Sequence, residues 1–181
     1  MKSHIEFRYL VNMDRMDKTD LYELMTAYGD DVRKYAYAIT KNREQAKDIA
    51  QEVFLKVFRS VGSFKGESSM KTWLFTITRN LAINELKSSY MRRIVLFGWV
   101  KPQKNVRSAE MDYLTEQSVR EIRDIIMKLP SKLREVLILT LEHELTMAEI
   151  AKLVNVSEGT VKSRLHRARQ IVNRKWRVTE P

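Results

Sequence analysis

From Thr146 to Val172 the chain reads TMAEIAKLVNVSEGTVKSRLHRARQIV, a stretch that few folds can accommodate. Thr146 with Glu149 three residues later has the form of a capping box, in which the hydroxyl accepts from a backbone N–H and the carboxylate reaches back. Ile150, Leu153 and Val154 give the following helix one apolar face. Asn155, Val156 and Ser157 break that period. Ser157 is suited to cap a second helix, whose apolar positions Val161, Leu165, Ala168 and Val172 recur at spacings of four, three and four. The expected result is two short helices joined by a tight turn.

On a wheel of about 100° per residue, the side opposite this stripe carries Gly159, Ser163, His166, Arg167 and Gln170. Thr160, Lys162, Arg164 and Arg169 lie on its flanks. Between Asn155 and Arg177, seven basic residues (Lys162, Arg164, Arg167, Arg169, Arg174, Lys175 and Arg177) face Glu158 alone, an excess of six positive charges. A helix-turn-helix offers the N-terminal part of its second helix to base edges in the major groove, with Lys and Arg on the phosphates. The same pattern also fits a helical hairpin with a solvated basic face.

The rest of the composition narrows the class. The chain has 181 residues, 44% hydrophobic and 31% charged, enough for one or two domains with real cores. Only five Gly and three Pro punctuate it, so an all-α protein is expected. With no Cys there is no disulfide framework, thiolate nucleophile or Cys-based zinc site. No apolar run reaches the ~18 residues of a membrane span and the N-terminus lacks an apolar signal core, so a cytoplasmic protein without membrane insertion is expected.

The net charge of +10 attracts polyanions, and its placement says where. Ten acidic residues balance ten basic ones between Asp14 and Glu67. From Arg79 to Arg107, seven basic residues face only Glu85, a second excess of six. Two basic surfaces imply two separate contacts with nucleic acid.

In chain order, Met1 to Met16 shows no clear period and reads as a loose extension. Asp17 to Ala38 is helical, with Leu21, Leu24, Met25, Tyr28, Val32 and Tyr35 at intervals of three and four and a possible bend at Gly29. Asn42, with Gln45 three residues on, starts a helix whose buried stripe is Ala46, Ile49, Ala50, Val53 and Val57. Leu55 stands on its opposite face among Asp48, Gln51, Glu52 and Arg59. This is either a singly exposed leucine or a docking face with an apolar centre and a charged rim.

SFKGESSMKTW is turn-rich. Beyond it, Trp73, Leu74, Ile77, Leu81 and Leu86 lie on a helix with Arg79, Asn80, Asn84 and Lys87 as polar members. Aromatics beside basic residues can stack unpaired bases, and Trp73 and Phe75 equally suit an ordinary core. From Tyr90 to Met111 the period dissolves into a basic linker. Val119, Ile122, Ile125, Ile126 and Leu129 restore it until Pro130. Ser131 then opens a helix with Leu133, Val136, Leu137 and Leu141 as core candidates.

Three segments in this order, DIAQEVFLKVFRS, FKGESSMKTWLFTITRNLAINEL and LPSKLREVLILTLEHELTMAEIAKLVNVSEGTVKSRLHRAR, resemble the extracytoplasmic-function (ECF) sigma factors of bacterial RNA polymerase. The resemblance spans roughly residues 17–176 apart from the linker. It implies a region-two domain over 17–91 and a region-four domain over 113–177, which leaves the extension over 1–16 outside it and a flexible basic linker over 92–112 between the two. Asp48, Gln51, Glu52, Leu55 and Arg59 then belong to the face that grips the clamp helices of the polymerase largest subunit, with the polymerase flap as a further contact. Phe64, Lys65 and Ser69 fall in the loop that captures a flipped base of the −10 element. Trp73, Arg79, Asn80, Asn84 and Lys87 fall on the helix that holds the melted strand. Ser157, Gly159, Thr160, Lys162, Ser163, Arg164, His166, Arg167 and Arg169 fall on the −35 reader. The linker is similar to the segment that threads toward the polymerase active site. Promoter DNA, core RNA polymerase and an anti-sigma factor are the implied partners. Met147 stands where the family often has an aromatic, and the extension has no clear counterpart.

Opening a duplex costs about 1.4 kcal/mol per base-pair step, and stacking captured bases returns part of it, so melting driven by binding needs no ATP. No GxxxxGK[ST] loop occurs, and His4, His143 and His166 are too scattered for a metal or triad site. A non-enzymatic protein without cofactor or metal is expected. A stand-alone helix-turn-helix regulator would leave the Leu55 face and the aromatic segment idle. A protein-only adaptor would leave two basic surfaces unexplained.

Overall fold

The computed structural model describes residues 10–11, 15–97 and 115–177, and every regular element among them is helical. The helices are α1 (Lys18–Thr40), α2 (Arg43–Ser60), α3 (Met70–Phe97), α4 (Thr115–Lys128), α5 (Ser131–Leu141), α6 (Met147–Val154) and α7 (Glu158–Arg177), with a 3₁₀ turn at Val61–Ser63. The chain divides into two compact units between Ser89 and Tyr90.

In the first unit, α1 begins at an Asp17–Asp20 capping box and runs unbroken through Gly29 to Lys41, whose left-handed φ of 58° ends it. The helical hydrogen bonding is thus continuous past Gly29, where the sequence allowed a bend. Of its periodic residues Leu24, Val32 and Tyr35 are buried, whereas Met25 is exposed. Asp30 pairs with Lys34 at 2.6 Å and with Arg33, and these hydrogen bonds, Lys34 first, hold its carboxyl below the usual range. It is a solvated helix surface.

Asn42 caps α2 by accepting from the Gln45 N–H at 3.1 Å. Here the stripe differs from the sequence expectation: Phe54 is buried beside Ala46, Ile49, Val53 and Val57, while Ala50 is only half-buried. The larger ring takes the place of a methyl because it removes more apolar surface from water. Tyr35 of α1 stacks on Phe75 of α3 with centroids 4.9 Å apart, and Lys71 of α3 reaches Asp31 of α1 at 3.4 Å. Gln45 of α2 donates to Glu85 and Ser89 of α3 at 3.4 and 3.3 Å. Phe75 is therefore core and not a base-stacking group.

Two observations bear on the expected boundaries. Among the described residues of the expected extension, Leu10 and Met16 are buried in the packed unit. The α3 helix continues to Phe97, through the first residues of the expected linker, because charge alone does not interrupt backbone hydrogen bonding. Residues 98–112 of that linker lie outside the described residues.

In the second unit α5 is central. Six consecutive residues from Arg134 to Leu139 are buried, the signature of a helix covered on all sides. Arg134 sits among them because its guanidinium donates to the Leu129 carbonyl at 2.8 Å and the Met127 carbonyl at 3.3 Å. It thus satisfies the orphan carbonyls that end α4 and complements the negative end of that helix. Ile125 and Leu129 of α4 are buried, but Val119, a member of the same period, and Leu141, expected in the core, are 56% and 55% exposed. Each lies at the end of its helix away from the α4–α5 corner, where fewer neighbours cover the periodic face.

Candidate nucleic-acid and polymerase interfaces

The α6–turn–α7 motif forms as its residues dictate. Thr146 accepts from the Glu149 N–H at 3.3 Å, and the Glu149 carboxylate accepts from the Thr146 N–H at 2.9 Å. Asn155 turns the chain with a left-handed φ of 54°, which Asn tolerates better than most residues, and the Val156 N–H returns to the Ala151 carbonyl at 3.0 Å. Ser157 then caps α7, accepting from the Thr160 N–H at 3.2 Å. Val161, Leu165 and Ala168 are buried, and Val172 is half-buried toward the end of the stripe.

The outer face of α7 is as open as the wheel requires. Gly159, Lys162, Ser163, His166, Arg167, Arg169 and Gln170 are exposed, while Thr160 and Arg164 are half-buried. A side chain added at Gly159 would meet only the Ser157 hydroxyl, at 3.9 Å, so nothing obstructs close approach to the start of the helix. Ser163 donates to the Thr160 carbonyl at 3.0 Å, and its oxygen still has acceptor capacity. Ser157 is exposed, but its hydroxyl is engaged with Thr160. It serves the surface by starting the helix.

In the first unit, the sequence candidates on α3 fall on one line. Trp73, Asn80, Asn84 and Lys87 are spaced by seven, four and three residues, so they share a face. Leu74, Phe75, Thr78 and Ala82 are buried on the other side. Asn80, Asn84 and Lys87 are exposed, Trp73 is half-buried, and Arg79 lies half-buried at the edge. At 1.5 Å per residue the row extends about 21 Å, room for several unpaired nucleotides. Thr76, exposed between Trp73 and Asn80, belongs to the same row and was missed from sequence. The i, i+3, i+4 spacing could have found it.

In the loop before α3, Phe64 and Ser69 have partners within the first unit. Phe64 is buried and lies 5.1 Å from the Trp73 ring at an interplanar angle of 42°, so it supports the loop and the tryptophan from beneath instead of facing outward. The Ser69 hydroxyl accepts from the Thr72 N–H at 3.1 Å and bonds the Thr72 hydroxyl at 2.8 Å, so it caps α3. Lys65 is exposed.

A third surface lies on α2. Asp48, Gln51, Glu52, Leu55 and Arg59 are all exposed on the side away from Ile49, Val53 and Val57. Leu55 is 52% exposed, and Phe58, one helical step on, is 37% exposed. The sequence reading passed over Phe58, which doubles the apolar centre of this face. Carboxylates, glutamine and arginine surround it, the composition of a protein interface with a polar rim.

Among the described residues no group of His, Cys, Asp or Glu could hold a metal ion, and no helix is long and apolar enough to cross a membrane.

Comparison with known proteins follows the same division. The family model for Sigma-70 region 2 matches residues 24–91, and that for Sigma-70, region 4, matches residues 119–172. The chain is 32% identical over 158 residues to the ECF RNA polymerase sigma factor SigX of Bacillus subtilis, covering 83% of this chain and 80% of the relative. It is 32% identical over 170 residues to the ECF RNA polymerase sigma-E factor of Haemophilus influenzae, covering 88% of each. Among solved structures, the sigma factor RpoE of Bartonella quintana, crystallised with the anti-sigma factor NepR, has the same fold, with a TM-score of 0.75 at 23% identity over 90% of this chain and 99% of that one. Two regions matched in order and relatives aligned over most of their length leave one assignment: the chain belongs to the ECF sigma factors of bacterial RNA polymerase.

Proposed function

We propose that this sigma factor docks on core RNA polymerase through the Leu55–Phe58 face of α2, with the flap contacting the second unit. Its α3 row and the 64–69 loop hold the melted −10 strand, and the exposed face of α7 reads the −35 element. The observation that carries this reading is the single outward row Trp73, Asn80, Asn84 and Lys87 on α3. It combines an aromatic ring for stacking, amides for base edges and a cation for phosphate, the set of groups an unpaired strand requires. Arg167, Ser163 and His166 on α7 suit a major-groove surface, flanked by Lys162, Arg164 and Arg169 for phosphates.

The work of melting is then differential binding. An open strand offers its bases to the α3 row, while the stacked duplex hides them, so binding energy is gained only on opening. The chain acts in the cytoplasm, without catalytic chemistry of its own. Like the RpoE relative captured with NepR, it is held by an anti-sigma factor until a stress or envelope signal releases it.

The experiment is run-off transcription with purified core polymerase on a genomic library. Discrete start sites that share a −35 and a −10 motif are expected only when this chain is added. Transcription that is indifferent to the added chain would refute the reading, and duplex binding without polymerase would favour a stand-alone helix-turn-helix regulator.

A further inference from the structure

The 64–69 loop is held at both ends by its own neighbourhood: Phe64 is buried against Trp73, and Ser69 caps α3. Its middle is held differently. Gly66 adopts a left-handed φ of 71°, and the side of its Cα where a side chain would stand is occupied by Val11, so that a methyl group there would lie 3.1 Å from Val11 Cγ2 and 3.4 Å from Cγ1. The positive φ favours glycine at this position, and an added methyl would need Val11 to give by a few tenths of an ångström. Val11 cannot simply yield, because Leu10 beside it is fully buried and ties the segment to the body of the first unit. Leu10 is the anchor, and half-buried Val11 is what meets the loop.

We propose that Val11 is a positioning residue for the −10 loop: it seats the loop apex at Gly66 against the first unit and so fixes the geometry in which the loop selects an extruded base. The inference rests on the reading of this loop as a −10 contact. Recognition of a flipped base depends on groups held to within about 0.5 Å by what packs behind them. The segment before α1 is then part of promoter selection without touching DNA.

The test uses the full chain with core polymerase and a promoter library randomised in both elements, comparing the native chain with Val11→Ala, Val11→Ile and Lys65→Ala. Val11→Ala should weaken discrimination at the captured −10 base by up to about tenfold, the share of one good base contact. It should leave the −35 ranking and the affinity for core polymerase unchanged, and Val11→Ile should retain most of the preference. A Val11→Ala chain that melts like the native one and keeps the native −10 ranking would overturn the proposal, as would an equal loss at both elements, which marks a general folding defect. If Val11→Ala does not fold, Val11→Cys, a milder truncation that removes one of the two branches facing Gly66, takes its place under the same criteria. Flattening by Lys65→Ala but not by the Val11 variants removes only the role of Val11. No effect from either removes the loop reading and the inference together.

Discussion

The rings of Phe64 and Trp73 lie 5.1 Å apart at 42°, one buried and the other half-exposed at the start of the α3 row. The two aromatics divide the labour of the site. Phe64 is the packed base of the pair, and Trp73 is the ring that can meet a nucleotide.

This division predicts opposite outcomes for two truncations. Phe64→Ala should cost about 3–5 kcal/mol of stability, as removal of a buried aromatic does. Trp73→Ala should cost less stability and yet abolish most promoter opening. Urea denaturation together with permanganate footprinting of the −10 region checks both. Equal destabilisation with equal loss of opening would mean that the rings form one structural unit.

Local chemistry made most helix starts legible. Thr146, Ser157 and Asn42 could each be read as caps because a cap needs only a side-chain oxygen and the next turn of backbone, and each accepts the expected N–H. The outer face of α7 and the solitary Leu55 were legible because helical periodicity is local as well. What escaped depends on partners distant in sequence. Burial of Phe54 in place of Ala50, of Phe64 beneath Trp73, and of Leu10 in a segment without a period follows from tertiary packing. Leu141 and Val119 err in the other direction: periodicity marks a face, but cover at a helix end depends on what stands opposite.

For the α2 face, Leu55→Asp and Phe58→Asp should each abolish co-purification with core polymerase while leaving the helical circular dichroism unchanged, since both side chains are exposed in the free protein. A buried charge at an interface centre costs several kcal/mol, and the same charge facing water in the free chain costs little. Native-like binding by Leu55→Asp would remove this face from the polymerase interface. Binding lost together with helicity would show that the residues are structural.

Arg134 tests the architecture beneath α7, the proposed −35 reader. Arg134→Met keeps much of the apolar bulk but leaves the Leu129 and Met127 carbonyls without their donor. The expected cost is about 2–4 kcal/mol, the loss of charge-assisted bonds at a buried site. Because α5 packs against α6 and α7, duplex binding should weaken across all sequences alike, in parallel with the fall in melting temperature. A stable variant with altered base preference would place Arg134 in recognition itself.

The proposed base contacts of α3 and α7 can be separated by substitution. Arg167 is exposed on the outer face of α7, whereas Asn80 and Asn84 lie on the α3 row of the other unit. Losing a base contact should cost about 1–3 kcal/mol and relax preference at one position, while losing a phosphate contact weakens every sequence equally and lowers the salt dependence. Arg167→Ala should therefore relax preference within the −35 element and leave the −10 ranking intact. Asn80→Ala or Asn84→Ala should do the reverse, and Lys162→Ala should reduce binding without reordering either element. A promoter library scored by transcription for each variant measures all four outcomes. If Arg167→Ala shifted preference at the −10 element, or if the base-facing variants lost activity uniformly across the library, one unit could not be reading one element.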